Sequence, residues 1–364
     1  MAAPPARGVM ESVQRKRVVI VDDSRSLRAW LRLVIEQDPR LAVVGEAASA
    51  YEAREVIKQT RPDVLTLDIE MPGMNGLEFL DRLMRLRPMP VVMISGATRN
   101  HTAATVQALS LGAVDYILKP TASNDEAAQL LIARRVYSAA CSTVQPRTHP
   151  QTIARETTGM YRTGPMPIVL IGASTGGVAA LETVLGALDP EGPPVVVVQH
   201  MPGPFLVSFA NQLNRKLAQD VGLAVAAEDL WPGQVRLAPA EGTQTHVNRK
   251  GSQWSCRFAP PAEDTLHCPS VDALFASAAQ HGRDVIAVIL TGLGHDGADG
   301  MLRLRDKGAA TLGQDQASSV VYGMPRAAFE RGAVQKQLHV SGIGAAVNDA
   351  VNTWRRNNRR EGVI

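Results

Sequence analysis

The chain alternates short apolar runs with longer amphipathic stretches. Its first such run is Arg17-Val18-Val19-Ile20-Val21, which ends in Asp22 and Asp23. Val64-Leu65-Thr66-Leu67 follows Pro62-Asp63 and ends in Asp68. Pro90-Val91-Val92-Met93-Ile94 ends in Ser95, and Ala113-Val114-Asp115-Tyr116-Ile117-Leu118 ends in Lys119-Pro120. Runs this short, bounded by turn residues, predict buried strands. Between and around them, Leu27–Glu36, Ala50–Gln59, Leu77–Leu86 and Thr102–Leu111 carry apolar residues at helical spacing. The alternation predicts five βα units around a parallel sheet.

Parallel strands in such a fold end on one rim, where open α/β sheets bind ligands. Three carboxylates, a hydroxyl and an ammonium would meet there. Any one of them reads equally well as a helix cap or turn residue. Together they suit phosphoryl transfer to a carboxylate. Acidic oxygens hold Mg²⁺, a lysine offsets charge on the phosphoryl group, and a hydroxyl donates to it. Residues 16–140 resemble the receiver domain of response regulators. That resemblance implies Asp68 as phosphoacceptor, Asp22, Asp23 and Asp68 as the Mg²⁺ site, Ser95 and Tyr116 as switch residues, and Lys119 as the phosphate-sensing lysine.

A second pattern starts after a break. Glu126–Ala140 reads as the last receiver helix, and residues 141–164 lose periodicity and gather Pro, Gly, Ser and Thr, the composition of a linker. Residues 165–364 resume with Ile168–Ile171, and Val195–Val198, Leu223–Ala226 and Val285–Leu290 are further strand candidates. Helices are predicted near Val178–Leu188, Phe205–Ala218, Val271–His281 and Ala298–Lys307. Gly233–Phe258, broken by Pro239, Gly242 and Gly251, reads as a hairpin excursion. The expected fold is therefore two α/β domains, the second a doubly wound, mostly parallel sheet.

Gly172-Ala173-Ser174-Thr175-Gly176-Gly177 follows the first strand of this half. Strand, GxSxG, helix is the pattern that lifts a serine hydroxyl to the carboxyl edge of a sheet. A helix-capping serine is the plain alternative. A nucleophilic serine needs a base and an acid to orient it. His200 follows Val195–Val198, and Asp296 lies in Thr291-Gly292-Leu293-Gly294-His295-Asp296-Gly297-Ala298 after Val285–Leu290. The chain order Ser, His, Asp differs from that of α/β-hydrolases. His295 competes as base, but neighbouring side chains in a turn point apart. Gly292–Gly297 also matches GxGxxG, with Asp315 downstream as a ribose ligand, a rival dinucleotide reading. Against it, the motif comes late, and Asp296 would repel a pyrophosphate.

The receiver-like half, with Gly172–Gly177, Gln199–Pro202, Pro269-Ser270-Val271-Asp272, Thr291–Ala298 and Gly323-Met324-Pro325-Arg326, resembles the CheB family of chemotaxis protein-glutamate methylesterases over nearly the whole chain. The resemblance implies Ser174 as nucleophile, His200 as general base, Asp296 as orienting acid, and the N–H groups of Thr175 and Leu293 as oxyanion hole. It also implies methyl-accepting chemotaxis receptors as substrates, with deamidation of their glutamines as a second reaction, and a histidine kinase of the CheA type as phosphodonor. No esterase cofactor is implied. Three departures stand out: His295 where Asn is commoner, Cys268 where Arg is commoner, and the segment Glu241–Gly251.

Bulk properties narrow the alternatives. The 364 residues suit two domains, and a hydrophobic content of 45% supports two cores. A net charge of +3 and 4% aromatics give little basis for nucleic-acid binding. Arg355–Arg360 reads as a solvated tail. A DNA-binding regulator would need a helix-turn-helix beside a basic stripe, and a non-catalytic adaptor would not need Ser174, His200 and Asp296 together. Cys141, Cys256 and Cys268 lack metal or disulfide spacing. No run is long enough to span a membrane and no apolar leader opens the chain. A monomer in the cytoplasm, with residues 1–15 as a disordered extension, is expected.

Overall fold

A computed structural model describes residues 14–96, 99–119, 126–144, 165–263 and 267–360. Most of the expected extension and most of the expected linker lie outside them. The first sheet holds β1 (Lys16–Val21), β2 (Leu41–Ala47), β3 (Val64–Asp68), β4 (Val91–Ser95) and β5 (Asp115–Leu118). All pairs are parallel, in the order β2-β1-β3-β4-β5. The helices α1 (Arg25–Glu36), α2 (Ala50–Thr60), α3 (Gly76–Leu86), α4 (Arg99–Leu111) and α5 (Glu126–Ala140) supply the crossovers and the final helix. Ser24, Ser49 and Asn75 cap the first three by accepting the N–H three residues on.

In the second half, β6 (Ile168–Ala173), α6 (Gly177–Gly186), β7 (Val195–Gln199), α7 (Gly203–Lys216), β8 (Asp220–Leu223), β9 (Asp229–Leu230) and β10 (Gln234–Leu237) come first. There follow β11 (Gln244–Lys250), β12 (Gln253–Ala259), α8 (Val271–Ser277), β13 (Val285–Ile289), α9 (Ala298–Asp306), β14 (Ala310–Gln314), α10 (Met324–Glu330), β15 (Lys336–Leu338) and α11 (Val340–Arg360). Seven strands form one parallel sheet in the order β15-β14-β13-β6-β7-β10-β8, and β11, β12 and β9 form a small antiparallel one. The first strand, β6, sits at the centre, so the chain winds outward in both directions. The strand ends on either side of β6 flank the crevice where such folds place ligands.

Three expectations are corrected. The hairpin is only β11 and β12, because β10, within the Gly233–Phe258 stretch, is an interior strand of the main sheet. Its Arg236 disguises it. The side chain is buried, but its guanidinium meets Asp220 Oδ2 at 2.9 Å and Glu228 Oε1 at 2.7 Å, so a charged residue fits an inner strand. The strand placed at Leu223–Ala226 begins earlier, because its register aligns Asp220 with Gln234. The helix expected over Val271–His281 ends at Ser277 and gives way to a tighter 3-10 turn, Ala279–Asp284.

The two halves share an interface in which α4 packs on α6 and α7. Apolar residues from both sides merge into one buried cluster. The Tyr116 ring stacks on Phe205, centroids 4.8 Å apart. A polar knot accompanies it: Glu182 Oε1 accepts from Ser110 Oγ at 2.6 Å, Gln212 Nε2 at 2.8 Å and Lys216 Nζ at 2.8 Å. The buried carboxylate is thus satisfied from both domains, as a carboxylate removed from water must be.

Candidate functional site

Two sites lie at strand ends. In the first sheet, Asp22 follows β1, Asp68 ends β3, Ser95 ends β4 and Lys119 follows β5. The topology brings all of them to one rim. Ligand oxygens of Asp22, Asp23 and Asp68 lie within 4.8 Å of one another, the sole such cluster of His, Cys, Asp and Glu among the described residues. Lys119 Nζ donates to Asp68 Oδ2 at 2.8 Å and approaches Asp22 Oδ2 at 3.6 Å. Burial and the nearby Asp68 charge push the Asp22 carboxyl up to about 6. Its Oδ2 is buried without a hydrogen-bond partner. A buried, unsatisfied carboxylate oxygen beside two others fits a hard divalent cation such as Mg²⁺. Ser95 Oγ donates to Gly96 O at 3.0 Å and accepts from Thr105 Oγ1 at 2.7 Å. Tyr116 is buried against the second domain.

In the second sheet, Ser174 follows β6, His200 follows β7, and Leu293 and Asp296 follow β13. Three neighbouring strands therefore deliver the expected serine, histidine and aspartate to one crevice. Ser174 N donates to Thr291 O at 3.0 Å and Gly177 N to Ser174 O at 2.8 Å, which sets a tight turn. Gly176 enters α6 with φ of +77°, a conformation that favours glycine. At Gly292 a Cβ would come within 2.7 Å of Ser174 Cβ, so only glycine lets the β13 loop approach the serine this closely.

His200 Nε2 meets Asp296 Oδ2 at 2.8 Å. Asp296 is 6% exposed and its oxygens are saturated. Oδ1 accepts from Ser270 Oγ at 2.9 Å and Asp272 N at 2.9 Å, and Oδ2 also accepts from Val271 N at 2.8 Å. Burial works to raise the Asp296 carboxyl, but the His200 bond and charge and these N–H donors outweigh it and hold it well below the usual range. Pairing through Nε2 leaves His200 Nδ1 for proton transfer. Ser174 and His200 are not hydrogen-bonded to each other among the described residues, and resting sites often tighten only around substrate. The N–H groups of Thr175 and Leu293 donate to no described group. Backbone N–H groups left without an acceptor beside a nucleophile are the kind that receive a developing oxyanion. The same loop does not favour the dinucleotide reading, since Asp296 is committed to His200 and Asp315 to a local turn with Ser318.

Sequence reasoning missed two neighbours. The His267 ring stacks on His200, centroids 4.3 Å apart and 15° from parallel. Burial and the His200 charge hold it below the ordinary imidazole range. Its position just before Pro269-Ser270-Val271-Asp272, whose groups hold Asp296, was the available signal. Asp115 of the first domain accepts from Thr175 Oγ1 at 3.1 Å. Nothing in either segment alone pairs those two. His295, the competing base, is exposed and forms no part of the His200–Asp296 pair.

The CheB methylesterase family matches residues 169–347, and the response regulator receiver domain matches residues 18–130. A protein-glutamate methylesterase/protein-glutamine glutaminase of Gluconobacter oxydans is 44% identical over 93% of this chain and 96% of its own length. One from Caulobacter vibrioides is 44% identical over 93% of this chain and 99% of its own. The crystallised catalytic domain of the Thermotoga maritima CheB methylesterase is 31% identical, spans 51% of this chain and 99% of that one, and has a TM-score of 0.49. No helix among the described residues is long and apolar enough to cross a membrane. With this identity sustained across both halves, the chain belongs to the CheB methylesterase family, as a receiver domain joined to an α/β hydrolytic domain.

Proposed function

We propose that the chain is a receiver-controlled serine esterase that removes methyl groups from glutamate γ-esters on methyl-accepting chemotaxis receptors. Residues 16–140 form its receiver and 165–364 its catalytic domain. The observation that carries this reading is the saturated Asp296 carboxylate holding His200 at the cavity that Ser174 also lines. Asp296 fixes the imidazole through Nε2, and His200 Nδ1 takes the Ser174 proton as Oγ attacks the γ-carbonyl. Negative charge develops on the carbonyl oxygen between the N–H groups of Thr175 and Leu293. His200 returns the proton to the departing methoxide, giving methanol. Water, deprotonated by His200, then cleaves the acyl-enzyme to free glutamate. The relatives' second activity, release of ammonia from glutamine, uses the same steps with an amide leaving group.

In the receiver, Asp68 accepts a phosphoryl group from a histidine kinase of the CheA type. Asp22, Asp23 and Asp68 would hold Mg²⁺, which offsets charge on the transferring group. Lys119 and Ser95 bind the phosphoryl oxygens, and Tyr116 changes its packing. Because Tyr116 stacks on Phe205 at the interface, that change loosens the receiver from the catalytic crevice. The site calls for a cytoplasmic enzyme, where such receptor segments and kinases meet.

The test is methanol release from methylated receptor membranes by the pure chain. Ser174→Ala is expected to lose release while keeping the wild-type melting transition. A variant with near-wild-type release would sink the serine mechanism. Phosphodonor with Mg²⁺ is expected to accelerate the wild type and leave Asp68→Asn unchanged.

A further inference from the structure

The receiver supplies part of the wall of the cavity beside Ser174. Asp115, the first residue of β5, is 6% exposed. Its Oδ1 accepts its neighbour's N–H, from Tyr116, at 2.9 Å. That leaves Oδ2 to reach across the interface to the hydroxyl of Thr175 at 3.1 Å. Arg135 Nη1 stands 3.8 Å from Oδ1. Thr175 is the residue after Ser174, and its carbonyl is fixed by Thr291 Oγ1 at 3.0 Å. Its side-chain hydroxyl points to Asp115, at a cavity that Asp115, Arg135, Ser174, Thr175 and His200 line together. A carboxylate is costly to bury unless donors meet it, and here one donor belongs to the hydrolytic domain.

We propose that Thr175 Oγ1 marks a carboxylate subsite that binds the glutamate side chain released by hydrolysis, and that Asp115 occupies it as an internal copy of that product. The inference rests on the esterase reading. Ester hydrolysis turns a neutral side chain into a carboxylate beside the serine. A hydroxyl that already binds a carboxylate one residue from the nucleophile suits that product. The Asp115 side chain differs from it by one methylene. The closed receiver therefore inhibits as a tethered competitor as well as a cover, and free product competes only when Asp115 withdraws. Tethering makes the competition strong, because the local concentration of an attached group is high.

The test uses the full chain and follows covalent labelling of Ser174 by a fluorophosphonate probe, with N-acetylglutamate α-methylamide as the product analogue. Asp115→Ala is expected to label faster than wild type, and the analogue to protect it at about tenfold lower concentration, the scale of one charge-assisted hydrogen bond. Asp115→Asn keeps an oxygen for Tyr116 N–H but turns an amide donor toward Thr175 Oγ1, so it removes the charge and reverses that hydrogen bond, and it is expected to fall between. Adding Thr175→Val to Asp115→Ala is expected to remove protection, and Thr175→Ser to retain it. Phosphoryl labelling of Asp68 by a small phosphodonor verifies an intact receiver in each variant. Equal labelling and equal protection in wild type and Asp115→Ala would overturn the subsite while leaving the esterase reading in place. No labelling of Ser174 in any variant, with Asp68 still accepting phosphoryl groups, would overturn the esterase reading and the subsite with it.

Discussion

Both strand-end sites bury an aspartate, and the two aspartates go opposite ways. Asp22 is buried near Asp68, keeps one oxygen without a hydrogen bond, and its carboxyl rises to about 6. Asp296 is buried as well, yet four donors saturate it and it is held low. Burial pushes both carboxyls upward, so the neighbours decide the outcome: the Asp68 charge at one, His200 and the N–H donors at the other. One carboxylate keeps an oxygen that a cation would satisfy, and the other is held as an anion against an imidazole.

Asp296→Asn should break the second site hardest. The amide cannot serve both His200 and the donors at the start of α8, and turnover is expected to fall about 10⁴-fold, as when the acid of a serine triad is neutralised. The same substitution should flatten acid stability. A carboxyl held below its unfolded value adds stability above about pH 4, which is lost as pH falls further. Acid melts of wild type and Asp296→Asn check this, and parallel curves would contradict the assigned anion.

Asp22 has the opposite sign. Its folded value lies above the unfolded one, so metal-free protein loses stability as pH climbs from about 4 to about 6. Mg²⁺ should restore it. Asp22→Asn is expected to raise the metal-free melting temperature at pH 7 by about 2–4 °C and to abolish the Mg²⁺ increment. A variant that still gains from Mg²⁺ would remove Asp22 from the cation site.

Smaller effects sharpen the picture around His200. Loss of the stacked ring in His267→Ala is expected to lower kcat about 3–10-fold with little change in KM, the scale of one aromatic pair. His267→Phe should recover most of it, because the stacking survives. Least of all, His295→Asn should stay within about twofold of wild type, since the side chain is exposed and outside the pair. If His295→Asn is inert while His200→Asn retains activity, the two histidines have exchanged roles.

Much of this was legible because the relevant signals are local. Apolar runs ending in Asp22, Asp68, Ser95 and Ser174 announce strands and their rims, since the side-chain pattern of a buried parallel strand is nearly continuous. Strand β10 escaped because its Arg236 is satisfied by Asp220 and Glu228 from outside the strand, and a charge pattern does not reveal its partners. Helix α8 was drawn too long for a related reason. Apolar spacing continues past Ser277, while the backbone departs from helical geometry at His281.

The sequence by itself determined most of the elements, the two-part organisation and which side chains are the candidates for chemistry, because these depend on residue type and on spacing within a few turns. Only the tertiary structure decided which ring nitrogen of His200 meets Asp296, that His267 lies against that ring, and that Asp115 reaches Thr175. Those contacts join residues 60 to 96 positions apart in the case of the two hydrogen bonds. They arise from strand order and from the packing of α4 on α6 and α7, and neither is written in any single stretch of chain.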